Sequence, residues 1–236
     1  VDYEMVSRQA ELFRSVLDKA DAFELDFERL GSEFTLRIEC DAQNAQKSHG
    51  LCPPGKPDVA NLPAGEVYFV PKGASGSFPF RFPDGTLACM KVSDGAIVEA
   101  SLLHGEEELV RERNLQLKQD PATGIIGELG FGTQLLPFSG KDIQDEKILA
   151  TCHVATGRSD HLGGSLTPDL FNSRENASHD DILYAPTKTP EIIVSQVRMH
   201  KNGEVFPILE NFEPTPFLLE RLEPEYPVER FASGVS

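Results

Sequence analysis

Four short stretches of the sequence place acidic residues or histidines among apolar, strand-forming residues. They are NLPAGEVYFVP with Glu66, GIIGELGFGT with Glu128, ILATCHVATG with His153, and NASHDDILYAP with His179 and Asp181. A buried ionised group is costly unless it is paired, so each of these residues either faces solvent or holds something positive. Carboxylates and neutral imidazoles are ligands that Zn, Mn, Co and Fe(II) share. Taken together, the four stretches favour a divalent-metal site.

Each stretch also has an ordinary structural interpretation. Glu66 heads an apolar strand and is equally typical of a solvated strand end. Glu128 is the only charge between Gly124 and Leu136, and such a residue must be paired, protonated or coordinating. His153 has apolar neighbours, and a single histidine in that setting is more often a core residue than a ligand.

The stretch HDDILYAP has a geometric property of its own. If it is a strand, His179 and Asp181 point to one face and Asp180 to the opposite face. An imidazole and a carboxylate are then aimed at one point. Lys141 and Arg158 could each pair with a carboxylate, but two cations cannot neutralise the whole group.

Hydrophobic periodicity predicts an α+β fold, mainly antiparallel or mixed β with a few helices. Apolar residues recur at helical spacing in residues 2–20, and 105–119 read as a second helix with an acidic first turn. A hairpin is predicted over 23–38, a long loop over 41–64, and a short helix leading into a strand over 142–157. Short strands account for most of the rest, including a pair that turns at Asn202-Gly203, and residues 225–236 are expected to form a tail.

Composition limits the class of partner. The chain has 236 residues and a net charge of −16, which suits one large domain over 1–236 and argues against nucleic acid or an anionic membrane as partner. Four cysteines lie far apart without a paired spacing, so a reducing cytoplasm is expected. No apolar run approaches the roughly 18 residues of a membrane helix.

The order NLPAGEV, GELGFGT, DEK…CHVATG and H-x-D before an apolar strand resembles the active-site domain of the M29 metallo-aminopeptidases, over about residues 61–186. The resemblance implies a hydrolase in which two ions of Zn, Co or Mn activate water for cleavage of a peptide or amide substrate, with a possible homodimer. Carried over by position, the implied metal ligands are Glu66, Glu128, His153, His179 and Asp181.

The sequence departs from the M29 pattern in two places. Asp160 stands where the family has a tyrosine at the metal site, so Asp160, or a carboxylate left unligated such as Glu66, would have to act as general base. The family's N-terminal α/β domain also has no counterpart in the sequence given.

The last two motifs are also similar to those of the 2,5-dihydroxypyridine dioxygenases. This resemblance implies one Fe(II) held by His153, His179 and Asp181, with open positions for oxygen and a small hydroxylated aromatic substrate. It leaves Glu66 and Glu128 for proton transfer or structural pairing. A third possibility is a binding module that has lost catalysis.

Overall fold

The computed structural model describes residues 1–52, 54–55 and 62–226. The helices are α1 (Tyr3–Leu17), α2 (Glu107–Gln119), α3 (Asp142–Asp145) and α4 (Pro216–Leu222). The strands are β1 (Ala22–Arg29), β2 (Ser32–Glu39), β3 (Gln46–Ser48), β4 (Glu66–Phe69), β5 (Gly73–Arg81), β6 (Leu87–Ser93), β7 (Ala96–His104), β8 (Ile126–Gly132), β9 (Cys152–Gly157), β10 (His179–Tyr184), β11 (Ile193–Lys201), β12 (Glu204–Glu210) and β13 (Glu213–Pro214). The chain is therefore α+β and mainly β.

The strands form two antiparallel sheets. The larger sheet has the order β13-β12-β11-β1-β2-β5-β6-β7, and the smaller has the order β10-β9-β8-β4-β3. Every neighbouring pair in the smaller sheet is antiparallel. The first strand, β1, lies in the middle of the larger sheet, between β11 and β2.

The main core lies where the two sheets face each other. Alternate residues of β1 are buried, as the period-two pattern of its sequence requires. The ring of Phe23 on β1 packs against the ring of Phe69 on β4, with centroids 5.1 Å apart, and against that of Phe131 on β8, with centroids 5.4 Å apart. Phe27 packs against Tyr184 of β10 at 4.7 Å. These contacts hold the smaller sheet rigidly against the larger one.

Most predicted elements are confirmed. Helices α1 and α2, the β1–β2 hairpin, the short helix before β9 and the β11–β12 turn all lie where the pattern placed them. The loop predicted over 41–64 contains β3, and part of it lies outside the described residues.

Strand β5 and helix α4 were not predicted. Pro79 lies inside β5, but the pairing of β5 with β2 ends at Gly76, so Pro79 pairs only with β6 and has no second ladder to disrupt. Helix α4 begins at Thr215, whose side chain accepts a hydrogen bond from Leu218 N, followed by proline at the first helical position.

The predicted tail is only partly described. Tyr226 is buried and its hydroxyl donates to the carbonyl of Thr133 at 2.6 Å. Glu225 accepts from Arg8 at 3.3 Å. Both residues are therefore tied to the domain, and residues 227–236 lie outside the described part of the chain. Within the described ranges, no helix has the length and apolar content needed to cross a membrane.

Candidate metal centre

Four adjacent strands of the smaller sheet carry the five predicted ligands. Glu66 is the first residue of β4, Glu128 lies in β8, His153 in β9, and His179 and Asp181 in β10. Ligand atoms of Glu66, Glu128 and His153 lie within 4.8 Å of one another, as do those of Glu128, His179 and Asp181. The predicted convergence is thus present, and Glu128 belongs to both groups.

Glycine opposite His153 makes room for its ring. Gly130 is the cross-strand partner of His153 in the β8–β9 pair. A Cβ atom at Gly130 would collide with the imidazole of His153. The glycines of GELGFG therefore allow the imidazole to lie over the neighbouring strand and reach the carboxylates.

Two imidazoles flank the carboxylate of Glu128. His179 Nε2 lies 3.0 Å from Glu128 Oε2, and His153 Nε2 lies 3.5 Å from Glu128 Oε1. His179 Nε2 is also 3.2 Å from Asp181 Oδ1. As predicted, Asp180 points elsewhere, since its carboxylate accepts a hydrogen bond from Ser178 Oγ at 2.7 Å. Oxygen and nitrogen lone pairs at these distances require a proton or a cation between them.

The tautomer of His179 is fixed by the backbone. Its Nδ1 lies 2.6 Å from the carbonyl oxygen of Arg158, which can only accept, so Nδ1 carries a proton. In the metal-free protein Nε2 donates a second proton to the carboxylates, and a metal ion bound at this nitrogen would take the place of that proton. This is the arrangement typical of metal-binding histidines. The Nδ1 of His153, in contrast, is buried without a hydrogen-bond partner among the described residues.

A buried lysine that the sequence analysis did not identify lies beside the two groups of possible ligands and pairs with Glu66. Lys147 Nζ lies 2.6 Å from Glu66 Oε2 and 2.6 Å from Glu146 Oε1. The side chain of Lys147 is 2% exposed, so this cation is held between two carboxylates away from water. Lys147 is part of the DEK motif, but its position in the turn before β9 gives no sign in the sequence that it faces Glu66.

The remaining predicted residue, Asp160, lies outside both ligand groups. Its carboxylate accepts two hydrogen bonds of 3.0 Å from Arg158, in a half-buried ion pair that lowers the pKa of Asp160. The neighbouring His161 does approach the site. Its ring meets that of His179 edge-on, with centroids 4.6 Å apart.

Proton affinities in the site show how strongly it attracts positive charge. Burial would raise the pKa of Glu128, but hydrogen bonds from His153 and His179 lower that pKa to about 2. Burial would lower the pKa values of the two histidines, but the carboxylates outweigh it. The pKa of His153 is raised to about 9, chiefly by Glu128, and that of His179 to about 10 by Asp181 and Glu128.

The same balance holds for Lys147. Burial lowers its pKa, but attraction to Glu66 and Glu146 prevails and raises it. The charged ammonium form of Lys147 is therefore favoured in the site. The donor set of carboxylates and imidazoles fits a divalent ion at His179, because its Nε2 and two carboxylates already converge there.

Comparison with known proteins gives a likeness of fold. No protein-family model and no curated protein matches the sequence. The solved structure of 2,5-dihydroxypyridine dioxygenase from Pseudomonas putida KT2440 is similar, with a TM-score of 0.61 and 16% sequence identity. The match covers 90% of this chain and 60% of that one, so the chain spans about three-fifths of the dioxygenase's length. At this identity the likeness concerns the fold. The resemblance to M29 aminopeptidases finds no support in these comparisons.

Proposed function

We propose that the chain is a metal-dependent oxygenase whose centre holds one ion, of the Fe(II) type, between His153, His179 and Asp181. The observation that carries the metal site is the environment of His179. Its Nδ1 proton is committed to Arg158 O, and its Nε2 lies 3.0 and 3.2 Å from carboxylate oxygens of Glu128 and Asp181. Two histidines and one carboxylate are the ligand set of the facial-triad iron enzymes. His153, which lies 3.5 Å from Glu128, would supply the second histidine beside the group formed by Glu128, His179 and Asp181.

Lys147 favours one ion over two. A second ion at Glu66 would have to share that carboxylate with an ammonium group 2.6 Å away. Two cations at so short a distance repel strongly in a buried site. Glu66 is therefore already paired with a cation, which favours a single ion elsewhere in the centre.

The fold supports the oxygenase over the hydrolase. A solved structure of similar fold is that of a 2,5-dihydroxypyridine dioxygenase, and a single bound ion with open positions would supply a place for oxygen and substrate together. The protein residues then have distinct tasks. His179 keeps its proton at Nδ1 towards Arg158 O, and Glu128, which ends close to both imidazoles, is placed to accept a proton from a substrate hydroxyl.

A two-metal hydrolase is the second candidate, and one observation favours it. Glu128 is common to both groups of possible ligands, as a carboxylate bridging two ions would be. The two candidates differ in the number of ions that they require, which makes metal content the decisive measurement.

The test is anaerobic reconstitution with Fe(II), followed by elemental analysis and oxygen uptake. We expect about one ion per chain and oxygen consumption when a dihydroxypyridine or another hydroxylated aromatic is added. Reconstitution with Co, Mn or Zn provides the comparison. Two ions per chain, with hydrolysis of aminoacyl amides and no oxygen uptake, would replace the oxygenase with the hydrolase.

A further inference from the structure

A cavity outside the candidate metal centre begins at one of the proposed metal ligands. It has a volume of about 200 Å³ and lies along the open edge of β10, between the end of β5 and the segment that follows β10. Asp181 lines it, and the same residue lies 3.2 Å from His179 in the candidate metal centre. The cavity and the candidate metal centre therefore have this residue in common.

Aromatic rings form part of its wall. Phe80 and Phe82 both line the cavity and contact each other edge-on, with centroids 4.8 Å apart. Both rings are half-buried, which leaves part of each available to a ligand. Pockets that bind drug-sized ligands have volumes of roughly 300–1,000 Å³. A cavity of about 200 Å³ is smaller and suits a ligand with a single ring.

Two cations, Arg81 and Lys188, also line the cavity. Lys188 Nζ is already paired with Asp142 at 2.8 Å. Arg81 is less fully engaged: its Nε lies 3.4 Å from Glu191 Oε2, and among the described residues this buried nitrogen has no hydrogen-bond partner. A guanidinium has five N–H donors in a planar fork that matches a carboxylate.

The acidic residues of the wall do not cancel this attraction. Asp142 has Lys188 as its partner and Asp181 lies 3.2 Å from His179. Glu191 contacts Arg81 only at Nε, at 3.4 Å. Arg81 is left as the cation with spare donors beside aromatic surface. That combination selects a ring with a negative substituent.

We infer that this cavity is a binding site for a single-ring aromatic carboxylate, held by Arg81 at the carboxylate and by Phe80 and Phe82 at the ring. The inference rests on the proposed function only in naming the ligand as its substrate, because the cavity exists without the metal. The aromatic substrate of the centre is then one that carries an acidic group. Asp181 is the residue that the cavity shares with the candidate metal centre.

Calorimetric titration of the metal-free protein with benzoate tests the site. We expect benzoate to bind, and acetate and benzylammonium, which lack the ring or the negative charge, to fail to bind. Arg81→Gln should weaken benzoate binding about tenfold or more, as expected for loss of a charge-assisted bidentate contact. Arg111→Gln is the matched control, since Arg111 lies exposed on α2 in an ion pair with Glu108, and should leave the affinity unchanged.

A second variant and a separate measurement of metal content distinguish loss of the binding site from loss of the fold or of the metal. If Arg81→Gln lowers the melting temperature, Phe82→Leu serves in its place and should also weaken benzoate while sparing the fold. Benzoate that fails to bind, or that binds equally well to both variants, overturns the inference. Metal content is measured separately, so a protein that binds benzoate but no metal would refute the proposed function and leave this site intact.

Discussion

Lys147 and Glu66 form a buried ion pair in which Nζ lies 2.6 Å from Oε2, inside a group of carboxylates and imidazoles that otherwise invites metal ions. The pair has a structural cost, since both charges are removed from water, and that cost is balanced only while the partners remain together. Under the proposed function, the lysine limits the centre to one metal ion. It also places a fixed positive charge beside the proposed site of chemistry.

Lys147→Met should show that both the stability of the metal-free protein and its metal content depend on this ion pair. Without the ammonium, Glu66 and Glu146 are left buried and unpaired, and the free energy of unfolding of the metal-free protein should fall by about 3–5 kcal/mol. Excess divalent metal should restore part of that loss and raise the metal content by one ion per chain. Denaturant unfolding and elemental analysis measure the two effects. Lys118→Met, at an exposed position near the end of α2, should change neither, and an unchanged metal content in Lys147→Met would remove the lysine from its assigned role.

The two aspartates of β10 offer a matched pair of variants. Asp181 lies 3.2 Å from His179 Nε2, whereas the adjacent Asp180 accepts a hydrogen bond from Ser178 outside the site. Asp181→Asn should reduce metal affinity by more than the roughly 10–100-fold that is typical of losing an outer-shell partner. Asp180→Asn should leave it unchanged. Titration with Fe(II) or Co(II) under anaerobic conditions gives both affinities, and equal values for the two variants would exclude Asp181 as a ligand.

Much of the candidate site could be predicted because its ligands lie on strands. Alternation along β10 placed His179 and Asp181 on one face, and the glycines around Glu128 indicated a close approach by another group. Lys147 could not be found in this way. It lies in the turn between α3 and β9, where no periodicity assigns a direction to its side chain, and only the three-dimensional approach of β4 makes it the partner of Glu66.

The fold shows the same division between local and non-local information. The hairpin of β1 and β2 follows from an alternating pattern and a turn. The insertion of β1 between β2 and β11 depends instead on residues about 170 positions apart, such as Phe23 and Met199, and no local pattern reports such pairing. Pro79 made β5 hard to predict, because a proline is tolerated in a strand only where no second neighbouring strand needs its N–H, and the sequence does not show which neighbours a strand has.

Gly130 provides a test in which none of the proposed ligand residues is replaced. A methyl group at this position would collide with the imidazole of His153, which must then move. Gly130→Ala should therefore weaken metal binding and cost about 1–3 kcal/mol of stability, as overpacking does. Gly73→Ala is the control, because the added atom would make only ordinary contact, 3.7 Å from Glu39 Cγ. Metal titration and thermal melting of both variants check this, and full metal affinity in Gly130→Ala would show that His153 is not required.

The metal-free protein should lose stability as the pH rises. The pKa values of His153 and His179 in the folded chain are about 9 and about 10, above the ordinary value of 6.5. A folded state that holds these protons more tightly than the unfolded state is stabilised fully below pH 6.5, and the stabilisation declines as the pH rises through 9 to 10.

A bound divalent ion should reverse this trend. The ion replaces the protons between the imidazoles and the carboxylates, so its affinity should rise over the same pH interval in which the metal-free protein weakens. Melting temperatures measured from pH 6 to pH 10, with chelator and with metal, should therefore diverge most at the alkaline end. His179→Gln should abolish most of the divergence, because the glutamine side chain does not titrate. Parallel curves with and without metal would show that the ion binds elsewhere.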